Sequence, residues 1–522
     1  MSKSDIVMTP ELVKDATASV VSRNPEPTIV VIFGASGDLT KKKLLPALFH
    51  LEESGLLPKE FAVVGVARRD LSATFSPDMK KAIIDSGAKP DDPKLDPFIQ
   101  KVSYHTTNFD DSEGYAKLKQ NLAKIDKEQG TKGNRLFYLA VAPEYFQEIV
   151  DKLGEQGMDK APKGTDGAKV RVIIEKPFGH DLDSAKALND GVAKVFDEEQ
   201  IFRIDHYLGK ETVQNLLIFR FANAMFEPLW NAKYIDNVQI TAAESIGIEG
   251  RGPFYEKAGA SRDILQNHMM EMLSFVAMEP PATFEAKGVL AEKLSLFKAI
   301  QPLSEATAVR GQYAAGTVID AKGNSEAAKP YRAEDRVDPN SSTETYAAVK
   351  LTIDTPRWKG VPFYLRAGKR LQKRVTEVVI EFKQPEKQIF TGASDGPCQG
   401  IQPNLIRIRI QPEEGIAFTF GNKLPTPDTT ICPVQAKFKY ADTFGKYTAN
   451  GYERLLLDAM LGDATLFSHR EAVEVAWALY TPLLESWAHN QPADFPNYDS
   501  GSWGPKSADE LLAQDKHTWH VV

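Results

Sequence analysis

The nine residues Arg203-Ile204-Asp205-His206-Tyr207-Leu208-Gly209-Lys210-Glu211 set a carboxylate, an imidazole, a phenol and an ammonium close together, from Asp205 to Lys210. They follow the apolar run Gln200-Ile201-Phe202, so Asp205 falls where a strand would end. Ligands of open α/β sheets bind just beyond the carboxyl ends of strands. An acid able to orient a base, followed by a cationic cradle, predicts catalysis on a phosphorylated substrate.

Other segments carry compatible chemistry. Gly34-Ala35-Ser36-Gly37-Asp38-Leu39-Thr40, with Lys41 next, lies between a β-branched run and an amphipathic stretch. A dinucleotide-binding fold places its pyrophosphate turn there. Gly34 and Gly37 let the backbone approach phosphate, and the helix start supplies N–H groups. A simple tight turn is the alternative. The next strand ends Ala67-Arg68-Arg69-Asp70. Arginine at this point suits the 2′-phosphate of NADP, while Asp70 leaves room for NAD. Glu175-Lys176-Pro177-Phe178-Gly179 puts Lys176 at another strand end, where ordinary strand-to-helix punctuation competes with a site role.

Glu244 continues the apolar face Val238, Ile240, Ala242, as a site residue or as the point where the strand meets solvent. In Ser261 to Met278 a helical stripe runs through Leu265, Met269, Leu273 and Val276. His268 sits beside it, either a packing histidine or a group that takes a proton near neutral pH. Nothing in the spacing brings it to Asp205. Arg366-Ala367-Gly368-Lys369-Arg370, with Arg374 nearby, is either a phosphate cradle or a solvated basic turn.

The elements that must position these residues fall into two patterns. At 522 residues the chain is too long for one core, which predicts two large domains. Strands at Thr28–Phe33, Phe61–Val66, Arg135–Val141 and Val170–Glu175, separated by helical stretches such as Lys41–Glu53, predict a doubly wound parallel sheet. After Asp205 the rhythm changes. Alternating strands at Asn237–Glu244, Ala347–Ile353, Glu377–Phe382, Leu405–Gln411 and Ile416–Phe420 predict a large, mainly antiparallel sheet in an α+β domain. Ala321–Ser342 reads as a loop. The division is a flexible tail over 1–27, a Rossmann domain over 28–205 and an α+β substrate-binding and oligomerisation domain over 206–522. The net charge of −8 gives no support for a nucleic-acid partner. No apolar run approaches the roughly 20 residues of a membrane helix. Met1 to Pro27 has no apolar core of a signal peptide. The two cysteines, Cys398 and Cys432, form neither a disulfide framework nor a zinc pattern, which fits a reducing cytoplasm. No metal-ligand cluster stands out.

In this order the segments GASGDL, EKPFG, RIDHYLGKE, QNH and RAGK resemble those of the glucose-6-phosphate dehydrogenase family. Glu249-Gly250-Arg251-Gly252 and Tyr346-Ala347-Ala348-Val349 look like further landmarks, and Gly501-Ser502-Trp503-Gly504-Pro505 looks like bacterial members. The likeness runs from about Ile29 to the Trp503 region. It implies oxidation of the C1 hydroxyl of glucose 6-phosphate, with a hydride passed to NADP, at the entry to the oxidative pentose phosphate pathway. By the same resemblance His268 is the general base and Asp205 orients it. His206, Tyr207 and Lys210 hold the phosphate, Glu244 and Asp263 bind sugar hydroxyls, and Lys369 and Arg374 assist at the substrate. Lys176 bridges substrate and coenzyme. Gly34 to Lys41, Arg68 and Tyr138 match coenzyme-binding positions. A homodimer or homotetramer is expected. The basic residues that some animal members carry before the position of Asn404 are absent, so no second, structural NADP is expected. Another NADP-dependent sugar oxidoreductase, or a catalytically silent binding protein, are the competing readings.

Overall fold

The computed structural model describes residues 24–165, 167–319, 323–390, 398, 400–427, 429–444 and 451–520. The expected tail over 1–27 therefore lies almost wholly outside the described residues. Six strands form the first sheet: β1 (Thr28–Phe33), β2 (Phe61–Ala67), β3 (Val102–Thr106), β4 (Arg135–Leu139), β5 (Val170–Ile174) and β6 (Ile201–Arg203). Their order is β3-β2-β1-β4-β5-β6, and every pairing is parallel. All six residues of β1 are buried, as a central strand covered on both faces requires. Its side chains alternate between two apolar layers: Val30 and Ile32 enter one, Ile29, Val31 and Phe33 the other. The order reverses between β1 and β4, which opens a crevice at their carboxyl ends.

The second sheet has eight strands: β7 (Ile235–Ala243), β8 (Ala308–Gly311), β9 (Tyr346–Thr352), β10 (Pro362–Gly368), β11 (Val375–Phe382), β12 (Leu405–Gln411), β13 (Gly415–Lys423) and β14 (Ile431–Lys439). They run β14-β13-β12-β11-β7-β10-β9-β8. Only β7 with β10 is parallel; the other pairs are antiparallel. The expected architecture is present. A helical segment, Ser261–Met269 continuing as Met270–Ala277, packs on β7 and β10 and brings His268 toward the first sheet. Its first part is π-helical, a winding often found at functional sites.

Several expectations change. Strands β3, β8 and β14 were not anticipated. Val-Ser-Tyr-His-Thr of β3 is mostly polar, and β14 is an edge strand, half exposed and holding Pro433. Part of the expected loop Ala321–Ser342 is ordered: Ser325–Ala328 pairs with Gly316–Ile319, and Tyr331 is fully buried. The cysteines are a correction. Cys398 and Cys432 are joined in a disulfide, their Cα atoms 4.4 Å apart. Distance along the chain said nothing about distance in space once the segment leading into β12 meets the edge strand β14. The argument from cysteine usage to a reducing compartment therefore falls. Among the described residues no helix is long and apolar enough to cross a membrane.

Gly34 takes φ +82°, and a Cβ there would run into the Ala140 carbonyl at the end of β4. Gly34→Ala is expected to cost about 1–3 kcal/mol for the backbone conformation, with the clash in addition. Denaturant melts should show it. A variant as stable as the parent would mean that this turn is not held as described.

Candidate functional site

The carboxyl ends of β5 and β6 meet the π-helical turn of Ser261–Met269. Asp205 follows β6 by one residue beyond Ile204, whose N–H still bonds Ile174 at 3.0 Å. Its Oδ1 accepts the Tyr207 N–H at 2.8 Å, which fixes the carboxylate in its turn. The same oxygen lies 2.6 Å from His268 Nδ1. Both side chains are buried, at 4% and 1% exposure. A carboxylate can only accept, so Nδ1 carries the proton and Nε2 presents its lone pair. Nε2 is 2.8 Å from Lys176 Nζ. Lys176 also reaches Asp263, at 2.9 Å to its carbonyl and 3.2 Å to Oδ1.

Electrostatics keep this chain of groups in alternating charge. Burial, followed by the positive charge of Lys176, pulls His268 well below the usual histidine range. The neutral, proton-accepting ring is therefore the form at neutral pH. Burial pushes Asp205 up, while His206, the Tyr207 N–H and the charges of Lys176 and Lys293 oppose it. Burial also acts to raise Asp263, but Lys176, Lys369 and His268 outweigh it and hold the carboxyl at about 2.

The aromatic residues after Asp205 wall the imidazole. Tyr207 stacks on His268 with centroids 4.4 Å apart, and His206 meets it edge-on at 4.6 Å. Burial, then the neighbouring His268, drives His206 well below the ordinary range. Lys210 Nζ sits 4.3 Å from the Tyr207 ring centre and donates to Gln411 Oε1. Burial lowers Lys210 to about 8, with Glu414 opposing. Arg374 is exposed, yet its charge reaches both Tyr207 and Lys210. Glu244 follows β7 and forms an ion pair with Lys369, which is 2% exposed and also faces the Tyr255 ring. The basic cluster around Lys369 does not make one cradle. Arg366 alternates to the other face, buried over Trp519 at 4.1 Å and bonded to Thr241.

At the crevice, Gly34 and Ala35 donate to Val66 O at 2.9 and 3.2 Å, and Gly37 to Gly34 O at 2.9 Å. Ala35 and Thr40 are buried, Ser36, Gly37, Leu39 and Lys41 partly so, and Asp38 is exposed and paired with Lys42. Arg68 lies over Tyr145, bonded to its hydroxyl at 3.2 Å, and beside Phe109. Tyr138 is fully buried at the same strand ends and donates to Glu175 at 2.6 Å.

Sequence reasoning missed Gln411 and Thr376, which complete the polar wall beside Tyr207 and Lys210. The signal for Gln411 was present, since a polar residue ends the alternation of β12 just before Pro412. Tyr452, parallel to His206 at 6.2 Å, had no local signal. Asp205, His206 and His268 bring metal-ligand atoms within 4.8 Å of one another. Two ligands of one tetrahedral zinc ion stand roughly 3.3 Å apart. The 2.6 Å separation in the Asp205–His268 pair is that of a direct hydrogen bond.

Comparison with known proteins gives the family and the fold. Residues 31–215 match the model "Glucose-6-phosphate dehydrogenase, NAD binding domain", and 217–520 match "Glucose-6-phosphate dehydrogenase, C-terminal domain". The chain is 46% identical to a glucose-6-phosphate 1-dehydrogenase of Chlamydia pneumoniae over 505 residues, covering 96% of this chain and 97% of that one. It is 41% identical to the Bacillus subtilis enzyme of that name, covering 95% and 99%. Among solved structures, a glucose-6-phosphate dehydrogenase in complex with its substrate glucose-6-phosphate superposes with TM-score 0.84 at 35% identity, covering 96% of this chain and 100% of that one.

The buried tautomer is directly observable. Nitrogen-15 spectra of the histidines should show His268 neutral at pH 7, protonated at Nδ1, with a midpoint below about 6.5. A ring already charged at pH 7 would contradict the balance of burial and Lys176 given above.

Proposed function

The chain belongs to the glucose-6-phosphate dehydrogenase family, and from that premise we propose that it oxidises C1 of glucose 6-phosphate to the 1,5-lactone with NADP as acceptor. The observation that carries this reading is the run Asp205–His268–Lys176, joined at 2.6 and 2.8 Å at the strand ends. His268 Nε2 takes the proton of the C1 hydroxyl. Asp205 holds the ring in that tautomer and stabilises the imidazolium that forms. Lys176 now occupies Nε2, and an arriving hydroxyl takes its place while Lys176 keeps its hold on Asp263. When bound, NADP supplies the hydride acceptor.

The phosphate lies against Lys210, His206 and Tyr207, with Arg374 at the rim. This anchoring, remote from C1, orients the reacting carbon. Glu244 and Asp263 accept from sugar hydroxyls, and Lys369 fixes Glu244. The glycine turn suits a pyrophosphate because it lies between β1 and the helix that follows, where backbone N–H groups are available to phosphate. Two contacts favour NADP over NAD. Asp70, the acid that would take a ribose hydroxyl, is engaged by the Ser72 N–H at 3.0 Å and by its Oγ at 2.7 Å. Arg68 is laid out on Tyr145 with its guanidinium at the end of β2.

The same reading divides the chain into a coenzyme domain over 28–205 and a substrate and oligomerisation domain over 206–522. The family models, which meet between 215 and 217, support it to within a short helix. Exposed Met225, Ile218 and Phe420 support a homodimer or homotetramer. A cytoplasmic place follows from the chemistry, because phosphorylated sugars and dinucleotides do not cross membranes unaided.

Purified protein should reduce NADP with glucose 6-phosphate, faster than NAD and not with free glucose. His268→Asn should lose at least about 100-fold in kcat with KM within a few-fold. Unchanged turnover would remove His268 from the base role. Lys210 gives a pH test. Its folded value, lowered to about 8, means that its charge is present below that pH and lost above it. KM for glucose 6-phosphate should rise as pH passes 8, with the bound phosphate shifting the rise upward. Lys210→Arg stays charged and should flatten the rise; an equal rise in both proteins would place the titrating group elsewhere.

A further inference from the structure

Behind the Asp205–His268 pair lies a second set of buried charges. Glu271, three residues beyond His268, is 6% exposed, and its partner Lys293 is 2% exposed. The Glu271 carboxylate accepts from Lys293 Nζ and, at 2.6 Å, from Ser468 Oγ. Ser468 is tied to the first sheet, because its N–H donates to Arg203 O at 3.0 Å, two residues before Asp205.

A partly open, mainly apolar cavity of about 30 Å³ lies between this group and the pair, and Asp205, Glu271, Ser468, Gln266, Asn267 and Lys176 supply the polar part of its wall. A buried water needs roughly 10–15 Å³ and two to four polar partners. Asp205 Oδ1 already serves both Tyr207 and His268. Asp205 Oδ2 is buried and accepts from no protein group among the described residues. A bare carboxylate oxygen in a protein wall is costly, and this wall borders a space of the right size that Ser468, Glu271 and Gln266 also line.

We propose that a water held in this cavity donates to Asp205 Oδ2 and to Ser468 Oγ, so that Glu271, Lys293 and Ser468 are positioning residues for the Asp205–His268 pair. The chain of donors then closes: Lys293 to Glu271, Ser468 to Glu271, water to Ser468 and to Asp205. It makes both oxygens of Asp205 acceptors and prevents the carboxylate from rotating away from Nδ1. Nothing in it touches substrate or coenzyme. It works only through Asp205, as the supports behind a metal-bound histidine do. The inference rests on His268 as the base.

The charged and titratable groups around Asp205 are His206, Tyr207, Lys210, Lys176, His268 and Tyr452, with Glu271 and Lys293 beyond the cavity. With its single proton on Nδ1 the Asp205–His268 pair carries one negative charge, and it is neutral overall once Nε2 has taken a second proton. A water donating to Oδ2 stabilises the negative form. Losing it therefore raises the pH at which the pair takes up its proton.

Ser468→Val puts methyl groups where the water would sit. The acid limb of kcat/KM should move up by roughly half a pH unit or more. KM for glucose 6-phosphate should stay within about twofold. Ser468→Ala leaves room for a water between Asp205 and Glu271 and should move the limb less. A limb unmoved in Ser468→Val overturns the proposal. If Ser468→Val does not fold, a crystal structure of the full parent chain decides. A water within about 3.2 Å of both Asp205 Oδ2 and Ser468 Oγ supports the bridge, and a well-defined cavity without it overturns it. His268→Asn separates the two readings. If it stays active, the base assignment fails. If it is inactive while Ser468→Val keeps the parent's limb, only the bridge fails.

Discussion

The 2.6 Å hydrogen bond between Asp205 and His268 is the constraint on which the rest of the arrangement depends. Its acid comes from the end of a parallel strand, and its imidazole from a helix lying on the other sheet. Neither element can shift by an ångström without breaking the contact, so the pair depends on how the two sheets pack. The π-helical winding of Ser261–Met269 meets that requirement locally. It re-aims one turn of helix, placing Asp263 and His268 on the same lysine while Leu265 and Met269 stay in the core.

The same constraint explains the charge order of the site. Asp205, His268, Asp263 and Lys369 are withdrawn from water and Lys176 and Glu244 partly so, and each neighbours a group of opposite sign or a lone pair. Breaking one member of a buried pair costs about 3–5 kcal/mol, more than the pair itself contributes. A set of this kind is a poor device for stability and a good one for holding an imidazole neutral. The lysine that lowers His268 also occupies its Nε2, and it is held in place by Asp263.

Much of this was legible in the chain. The strand ends were readable because central parallel strands are continuous apolar runs, and the residues just after them, Gly34, Arg68, Lys176 and Asp205, stand out as polar punctuation. The alternation of Leu405–Gln411 gave the second sheet. The pairing of Asp205 with His268 was not legible from spacing, since 63 residues separate them and only the fold brings them together. Strand β14 was missed because an exposed edge carries no apolar pattern. The Cys398–Cys432 bond was missed because a cysteine pair is read by spacing in short secreted chains, not across an edge of a large sheet. Arg366 looked like part of a basic turn, but a residue on a strand is committed to one face, and its face is the tryptophan layer.

Burial behind the site follows a logic of its own. Glu271 and Lys293 are too deep to be solvated and too far back to touch a sugar. In a purely structural core, an ion pair of that kind would be replaceable by apolar side chains of similar volume at little cost. Glu271 shares a cavity wall with Asp205, whose Oδ2 accepts from no protein group among the described residues, and that is what sets the pair apart. Apolar replacements there would leave Asp205 with one satisfied oxygen and a carboxylate free to turn. An imidazole whose tautomer depends on that carboxylate is held best when both carboxylate oxygens are held, so the demand for polar groups extends one layer behind the Asp205–His268 pair.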